Sequence, residues 1–563
     1  MNRYWWQDTN IYQIYPRSFQ DSNGDGIGDL RGIISRLDYL KTLGVETIWL
    51  SPINASPMVD NGYDISDYYK IEPVFGTNED MDELIAEAGK RGMKVLMDLV
   101  VNHCSDQHEW FQKALKDPEG EYGKYFYFRK GKEDGSAPNN WRSIFGGPAW
   151  EKVPGTDYYY LHIFTKEQVD LNWETPQVRE KIYEMINYWL GKGVAGFRID
   201  AINYLKKEPG FPSYPADEAD GLVSPKYGSL YRPGINEMLE ELKDRTFGRQ
   251  ALTVGEVANV PDEDLMKYVS LEDGHFAMIF DFSFISLDTV GPNYFWCDRR
   301  DWDPDEIKQG FFHTQELVQP EGWIANILDS HDTPRAVDLY LPEAGRNLYG
   351  ASMLAVMNLM RRGTPVIYQG QELGMDNNPL PSIDLYDDCS SHNEYRTALD
   401  KGYSEEEALR FVQLRSRDNA RYPFSWDETE QAGFTTGTPW LPVSPKHTWL
   451  NAKAELADPD SLFYIYKFLL ALRKGDRYGR AVREGRFEPY LAEQHHLIAY
   501  KQILEEEGEK RQELLILCNY QEEGQRVLLP EGTHAVVFDN YRGSAPVSGE
   551  ITMKSFQALV LEV

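Results

Sequence analysis

The chain has 563 residues and carries 90 acidic against 58 basic side chains, a formal net charge of −32. That field repels nucleic acid and anionic lipid and leaves an uncharged ligand such as a sugar unopposed. Cys104, Cys297, Cys389 and Cys518 stand far apart with no C-x-x-C pair, so neither a zinc knuckle nor a disulfide framework is expected.

The opening stretch Met1–Asn10 lacks the basic start and apolar run of a signal peptide. No apolar stretch approaches a membrane span, so a cytoplasmic protein with no membrane partner is expected. A first β-rich segment, Asn10–Pro16, leads into Asp21–Leu30, which reads D-S-N-G-D-G-I-G-D-L and sets an oxygen-bearing side chain at every second position. An EF-hand would need Glu at its twelfth position, where Gly32 stands. A phosphate-cradling loop fails because Asp29 replaces its last glycine and three acids would repel the anion. What remains is a lone calcium loop, with Asp21, Asn23, Asp25, Asp29 and the Ile27 carbonyl as hard ligands, or a solvated acidic turn.

Further β-rich segments follow at Val45–Pro52, Lys94–His103, Gly196–Ile202, Ala251–Val257, Met278–Ser283, Trp323–Asp332 and Thr364–Glu372. Several are near-continuous apolar runs, as for parallel strands buried on both faces. Amphipathic helices fit between them at Glu79–Arg91, Pro176–Lys192, Ile235–Phe247 and Leu348–Arg362. Such alternation predicts a TIM (β/α)8 barrel. The stretch 104–174, rich in Tyr, Gly, Pro and Trp, reads as a subdomain inserted after strand three. Residues 1–103 and 175–479 would then form the two parts of the barrel, with an irregular excursion at 375–445. Short alternating strands over 480–563 read as a C-terminal antiparallel β domain, a β-sandwich.

Catalytic groups of a TIM barrel sit at the C-terminal ends of its strands. There the sequence places Asp98 and His103, then Arg198 and Asp200, then Glu256, then His331 and Asp332. Any one of these has a bland reading as a helix cap, half an ion pair or a structural histidine, and Asp98 above all. Together, inside apolar strands, they call for another explanation, because unpaired buried charge is costly. Paired carboxylates suit glycoside hydrolysis: one attacks the anomeric carbon, another protonates the leaving oxygen, a third holds hydroxyls. Arg198, two residues before Asp200, points to the same side of its strand and would keep that carboxylate ionised.

Read together, the blocks Asp98–His103, Gly196–Tyr204, Gly255–Val257, Ile327–Asp332, Asn61–Tyr68 and Gly363–Met375 resemble the α-amylase superfamily, glycoside hydrolase family 13. Within it the resemblance is to the oligo-1,6-glucosidase and α-glucosidase branch, and Ser416–Asp427 and Ala432–Trp440 extend it. The resemblance implies Asp200 as nucleophile, Glu256 as general acid/base and Asp332 as transition-state stabiliser. It also implies that Asp64, His103, Arg198, His331 and Arg421 surround the terminal glucose, with Asp64 and Arg421 closing the far end of an exo-acting pocket. Gln168 matches a family position, but Val169 replaces the usual proline, and Phe424 and Ser425 stand where the branch has Met and Gln. The branch carries a calcium loop after its first strand, so Asp21–Asp29 is expected to hold a structural Ca2+; Mg2+ would prefer fewer protein ligands.

The implied substrate is a short oligosaccharide or disaccharide. Ala201 follows the nucleophile, where the branch has Val for α-1,6 and Thr for α-1,4 preference; the smaller Ala implies a broader or sucrose-type preference. Trehalose-6-phosphate hydrolase is the nearest alternative, with Lys206 and Lys207 as the cations for a phosphate. Sucrose isomerases carry an arginine-rich motif that Ser283–Gly291 lacks. A non-enzymatic transporter ectodomain would need an anchor and would not need the acids.

Overall fold

The computed structural model describes residues 3–563; the first two residues of the opening stretch lie outside it. Eight strands form the barrel: β1 (Ile11–Ile14), β2 (Thr47–Leu50), β3 (Lys94–Val100), β4 (Gly196–Asp200), β5 (Leu252–Gly255), β6 (Met278–Ile279), β7 (Ala325–Asn326) and β8 (Thr364–Tyr368). They pair in parallel in the order β6-β5-β4-β3-β2-β1-β8-β7. Phe280, just after β6, bridges Ala325 of β7 and closes the ring. β3 shows why the apolar runs read as strands: only Lys94 of its seven residues is exposed, since both faces are covered.

A helix follows each strand: α1 (Leu37–Leu43), α2 (Asn78–Lys90), α3 (Pro176–Gly191), α4 (Ile235–Arg245), α5 (Asp262–Val269), α6 (Pro304–Val318), α7 (Leu348–Leu359) and α8 (Leu462–Lys474). Local signals set their ends. Thr77 and Asp80 form a capping box at the start of α2, and Pro176 opens α3. α7 stops short of Arg362 because the chain must turn into β8 at Gly363, whose φ is +119°.

β6 and β7 are much shorter than the segments Met278–Ser283 and Trp323–Asp332 suggested. Beyond β7 the backbone turns to side-chain partners. Asp329 accepts the Ala336 N–H at 2.8 Å, and Thr333 Oγ1 accepts that of Ser330 at 3.0 Å. The chain therefore curls over the mouth instead of extending the ladder.

Between β3 and α3, Phe128–Lys130, Tyr158–Leu161 and Trp150–Lys152 form a small antiparallel sheet, and His103–Ser105 pairs with Gln168–Asp170. Trp141, Trp150 and Leu161 pack there with Phe211 and Val223, so the segment after β4 is clamped to this insertion. Arg142 reinforces the clamp, with Nη2 2.8 Å from Asp220. The excursion after β8 carries the helices Cys389–Asp400, Glu405–Arg415 and the one-turn Asp418–Arg421.

The C-terminal part holds six antiparallel strands linked in one order, folded so that Val527, Leu529 and Met553 cover Leu497, Ala499, Leu515 and Leu517. Its strands alternate. Ile498, Tyr500, Leu514 and Ile516 face the main core, while Leu497, Ala499, Leu515 and Leu517 build a second one with Val527, Leu529 and Met553. Gln525–Asp539 slips register between Leu528 and Thr533 and bends. Among the described residues no helix is long and apolar enough to cross a membrane.

Candidate active site

Arg198 is the hub. It is buried inside β4, and its Nη1 lies 2.7 Å from Asp200 Oδ1 and 2.9 Å from Asp98 Oδ1. Nη2 lies 2.9 Å from Glu256 Oε1 and 4.0 Å from Asp332 Oδ2. One guanidinium thus gathers carboxylates from β3, β4, the end of β5 and the curl after β7. Asp200 shares its side of the strand because strand side chains repeat every second residue. Glu256 is placed by its own N–H, which extends the ladder to the Ile199 carbonyl at 2.9 Å. Its Oε2 accepts the Ala201 N–H at 2.9 Å, an approach made with Ala201 in the left-handed region at φ +42°.

The charges differ sharply around this hub. Burial pushes the Asp200 carboxyl up; Arg198 opposes, and the nearby Glu256 and Asp98 add to the rise. Asp98 is likewise raised, to about 6, by burial against the pull of Arg198. Burial works the same way on Asp332, but His331, Arg417, Arg421 and Arg198 outweigh it and hold that carboxyl well below its usual range. Asp98 and Asp200 lean on the same guanidinium nitrogen, so the charge states of these two carboxyls are linked. Burial lowers His103 to about 4 and also takes His331 well below its ordinary value, with Asp332 opposing the fall.

Asp200, Glu256, Asp332 and His103 line a cavity of about 310 Å3. His103 and Gln168 form one wall, with their Nε2 atoms 3.2 Å apart. His331 lies behind Tyr63, whose hydroxyl is 2.6 Å from its Nε2. Asp64 and Arg421 do not close the far end. Asp64 is fully buried, and its oxygens accept from Ser56 Oγ (2.9 Å), the Asp60 N–H (3.1 Å) and the Val59 N–H (3.0 Å). It shapes the turn that presents Asp60. Arg421 is also fully buried, and donates to the His331 carbonyl at 2.8 Å and to Asp332 at 3.1 Å. The pair at the cavity wall is Asp60 with Arg417, at 2.9 Å. Arg417 is held in turn by Asp388 at 2.7 Å. Sequence reading missed both residues, although Arg417 lies inside the quoted block Ser416–Asp427 and Asp60 directly precedes Asn61.

The departures Val169 and Phe424 lie off the cavity. Phe424 packs against Phe19 and Trp426, and Val169 pairs with Cys104 across the two-stranded ladder. Lys206 and Lys207 are not available to a phosphate. The first is tied to Glu174 at 2.7 Å and the second, fully buried, to Asp170 at 2.6 Å.

The loop Asp21–Asp29 lies apart from this site, against the segment around Thr435. Asp21 Oδ1 accepts the N–H groups of Asn23 and Gly24, and Oδ2 accepts that of Gly26, each at 2.8 Å, along with the Thr435 hydroxyl. Asn23 and Asp25 make the same turn to Asp25 and Ile27, and Asp29 caps Gly32. The donors are all hard oxygens, the kind calcium takes. Among the described residues, however, the one trio of His or Asp side chains with ligand atoms within 4.8 Å of one another is Asp303, Asp305 and His496, at the surface.

The family model for the alpha amylase catalytic domain matches residues 13–483. The oligo-1,6-glucosidase of Parageobacillus thermoglucosidasius is 40% identical over 570 residues, covering 100% of both chains. The trehalose-6-phosphate hydrolase of Bacillus subtilis (strain 168) is 41% identical over 500 residues, 88% of this chain and 87% of that one. The crystal structure of isomaltulose synthase from Klebsiella sp. LX3 superposes with a TM-score of 0.92 at 37% identity, covering 100% of each chain.

Proposed function

This chain belongs to the α-amylase family of glycoside hydrolases, and from that premise we propose that it is an exo-acting, retaining α-glucosidase releasing the terminal glucose of short α-glucosides. The observation that carries the reading is the grouping of Asp200, Glu256 and Asp332 around Arg198 in a cavity walled by the Asp60–Arg417 pair. Asp200, paired with Arg198, attacks the anomeric carbon while Glu256, as general acid, protonates the leaving oxygen. Glu256 then takes a proton from water as that water releases the glucosyl group from Asp200. Asp332, held ionised by its cationic neighbours, stabilises the positive charge that develops on the sugar ring. A pocket closed beyond the terminal glucose admits chain ends only.

Isomalto- and malto-oligosaccharides are the substrates favoured by the likeness to oligo-1,6-glucosidases. Phosphorylated trehalose is disfavoured by the engagement of Lys206 and Lys207 with carboxylates. All four cysteines are free thiols, which supports a reducing, cytoplasmic setting. Asp21, Asn23, Asp25, Asp29 and the Ile27 carbonyl would hold a structural calcium ion, whose part is to neutralise and cross-link that loop. The test is NMR of the first product from isomaltose, maltose and sucrose. Released α-glucose supports the reading, β-glucose excludes double displacement, and an isomeric disaccharide in place of glucose indicates an isomerase.

A further inference from the structure

Asn293 and Trp296 line the catalytic cavity from the segment after β6, and Glu394 lines it from helix Cys389–Asp400. Their position follows from the barrel. In the closed ring β6 stands opposite β2, and the turn after β2 carries Asp60. Going round the mouth from Asp60, one passes His103, then Asp200, then Glu256, and then reaches Asn293. If Asp60 marks the terminal glucose, the wall past Glu256 faces whatever is attached through the oxygen that Glu256 protonates.

That wall has the chemistry of a sugar site and has it unused. The Asn293 side-chain nitrogen is buried and meets no acceptor among the described residues. Buried amide groups are nearly always paired, so this unpaired donor, on a residue that lines the cavity, points to a partner from outside the chain. Glu394 Oε2 accepts the Trp296 N–H at 2.8 Å, which ties the two segments together; its other oxygen has no partner among the described residues. Burial pushes this carboxyl up to about 7, so near neutral pH it can both give and accept a hydrogen bond. Trp296 is half-buried, backed by Leu380, Tyr386 and Val412, and supplies a flat apolar surface held in place. A pyranose or furanose needs these three things together: a flat face to lie on, a donor and an acceptor.

We infer that Asn293, Trp296 and Glu394 form the subsite for the leaving sugar, a neutral hexose, and that they select which disaccharides are cleaved. The inference rests on the α-glucosidase reading above. Arg415, a cation on the same wall, has its charge balanced by Asp288 at 3.0 Å.

α-Glucosyl fluoride separates the two ideas, because it carries glucose and no leaving sugar. Asn293→Ala and Glu394→Met should each lower kcat/KM on isomaltose or maltose by about tenfold, the size of one lost hydrogen bond. On α-glucosyl fluoride the same variants should stay within about threefold of the parent, which also shows that they fold. An equal fall on both substrates would mean that the residues act through the catalytic carboxylates or the fold, and overturns the subsite. Unchanged disaccharide kinetics overturns it too. If the parent protein cleaves neither the fluoride nor any disaccharide, the α-glucosidase reading itself fails and the subsite with it.

Discussion

Arg417 and Asp60 meet at 2.9 Å across 357 residues of sequence, and their contact walls the catalytic cavity. Arg417 cannot be removed cleanly, since Asp388 and Asp332 also lean on it and would be left as buried, uncompensated charge. Asp60→Asn is gentler, because it keeps the shape and takes away one charge. Its expected effect is a fall in kcat/KM on isomaltose of about 10- to 100-fold, the range for a hydrogen bond to a charged group. Steady-state kinetics on purified protein decides it. Unaltered kinetics would mean that the pair is a structural strut and does not touch glucose.

Much of this site could be read from the sequence because strand chemistry is local. Arg198 and Asp200 share a strand face by a period of two, and Glu256 and Asp332 fall just past apolar runs that only buried strands explain. The Asp60–Arg417 pair follows no such period. Asp64, three residues into a motif, was the more visible acid, and only the turn shows its oxygens to be fully occupied by Ser56, Val59 and Asp60. Asn293, Trp296 and Glu394 were hidden for another reason. They lie on connecting segments whose path is set by tertiary packing, and none stands in a motif. The C-terminal strands show the same limit: their existence was legible, but the register slip that bends Gln525–Asp539 is set by packing.

Asp200→Asn should abolish turnover on every substrate, α-glucosyl fluoride included, because it removes the group that forms the covalent intermediate. The fold should survive, since the amide oxygen can still accept from Arg198, now at 2.7 Å. Kinetics with a thermal melt of the same sample checks both halves. Residual turnover above about one per cent would place the nucleophile elsewhere.

His103 gives a pH signature. Burial lowers its folded pKa to about 4, below the 6.5 of an unperturbed imidazole. A depressed histidine binds fewer protons folded than unfolded, so its contribution is complete above about pH 6.5 and is lost as pH falls towards 4. Over that window the loss is on the order of 3 kcal/mol. His103→Gln removes this titration. Its melting temperature should therefore fall less steeply between pH 6.5 and pH 4 than that of the parent. Parallel curves would show that the imidazole is protonated in the folded protein.

For the Asp21–Asp29 loop, Asp25 is the informative position. Asp21 accepts three backbone N–H groups and the Thr435 hydroxyl, so replacing it harms the fold with or without an ion. Asp25 is exposed and accepts only the Ile27 N–H. With calcium bound, EDTA should lower the parent's melting temperature by several degrees, about what a loss of 1–3 kcal/mol produces. Asp25→Asn should show little response to EDTA. Elemental analysis of dialysed protein supplies the second readout; without stoichiometric calcium or magnesium and with no EDTA effect, the loop is a polar turn.

Ala201 carries the question of linkage. The extended strand ends at Asp200, and Ala201 turns into the left-handed region with φ +42°, so simple alternation does not set where its methyl points. That methyl lines the cavity and packs with Ile163 and Tyr204, beside Ile144 and Phe164. Val at this position adds two methyl groups, each worth on the order of 1 kcal/mol of contact or clash. It also places a β-branched side chain where the backbone resists one, a further cost of roughly 1 kcal/mol or more to the fold. Ala201→Val should therefore melt lower than the parent and, with its cavity narrowed, should favour α-1,6 over α-1,4 substrates by about tenfold in relative kcat/KM. Ala201→Gly relieves the backbone and opens the wall, so it should shift that ratio the other way. Isomaltose, maltose and sucrose kinetics on the three proteins decide the matter. If the ratios move by less than about twofold while stability changes as expected, Ala201 only shapes the backbone that presents its N–H to Glu256, and the wall of Asn293, Trp296 and Glu394 alone sets linkage.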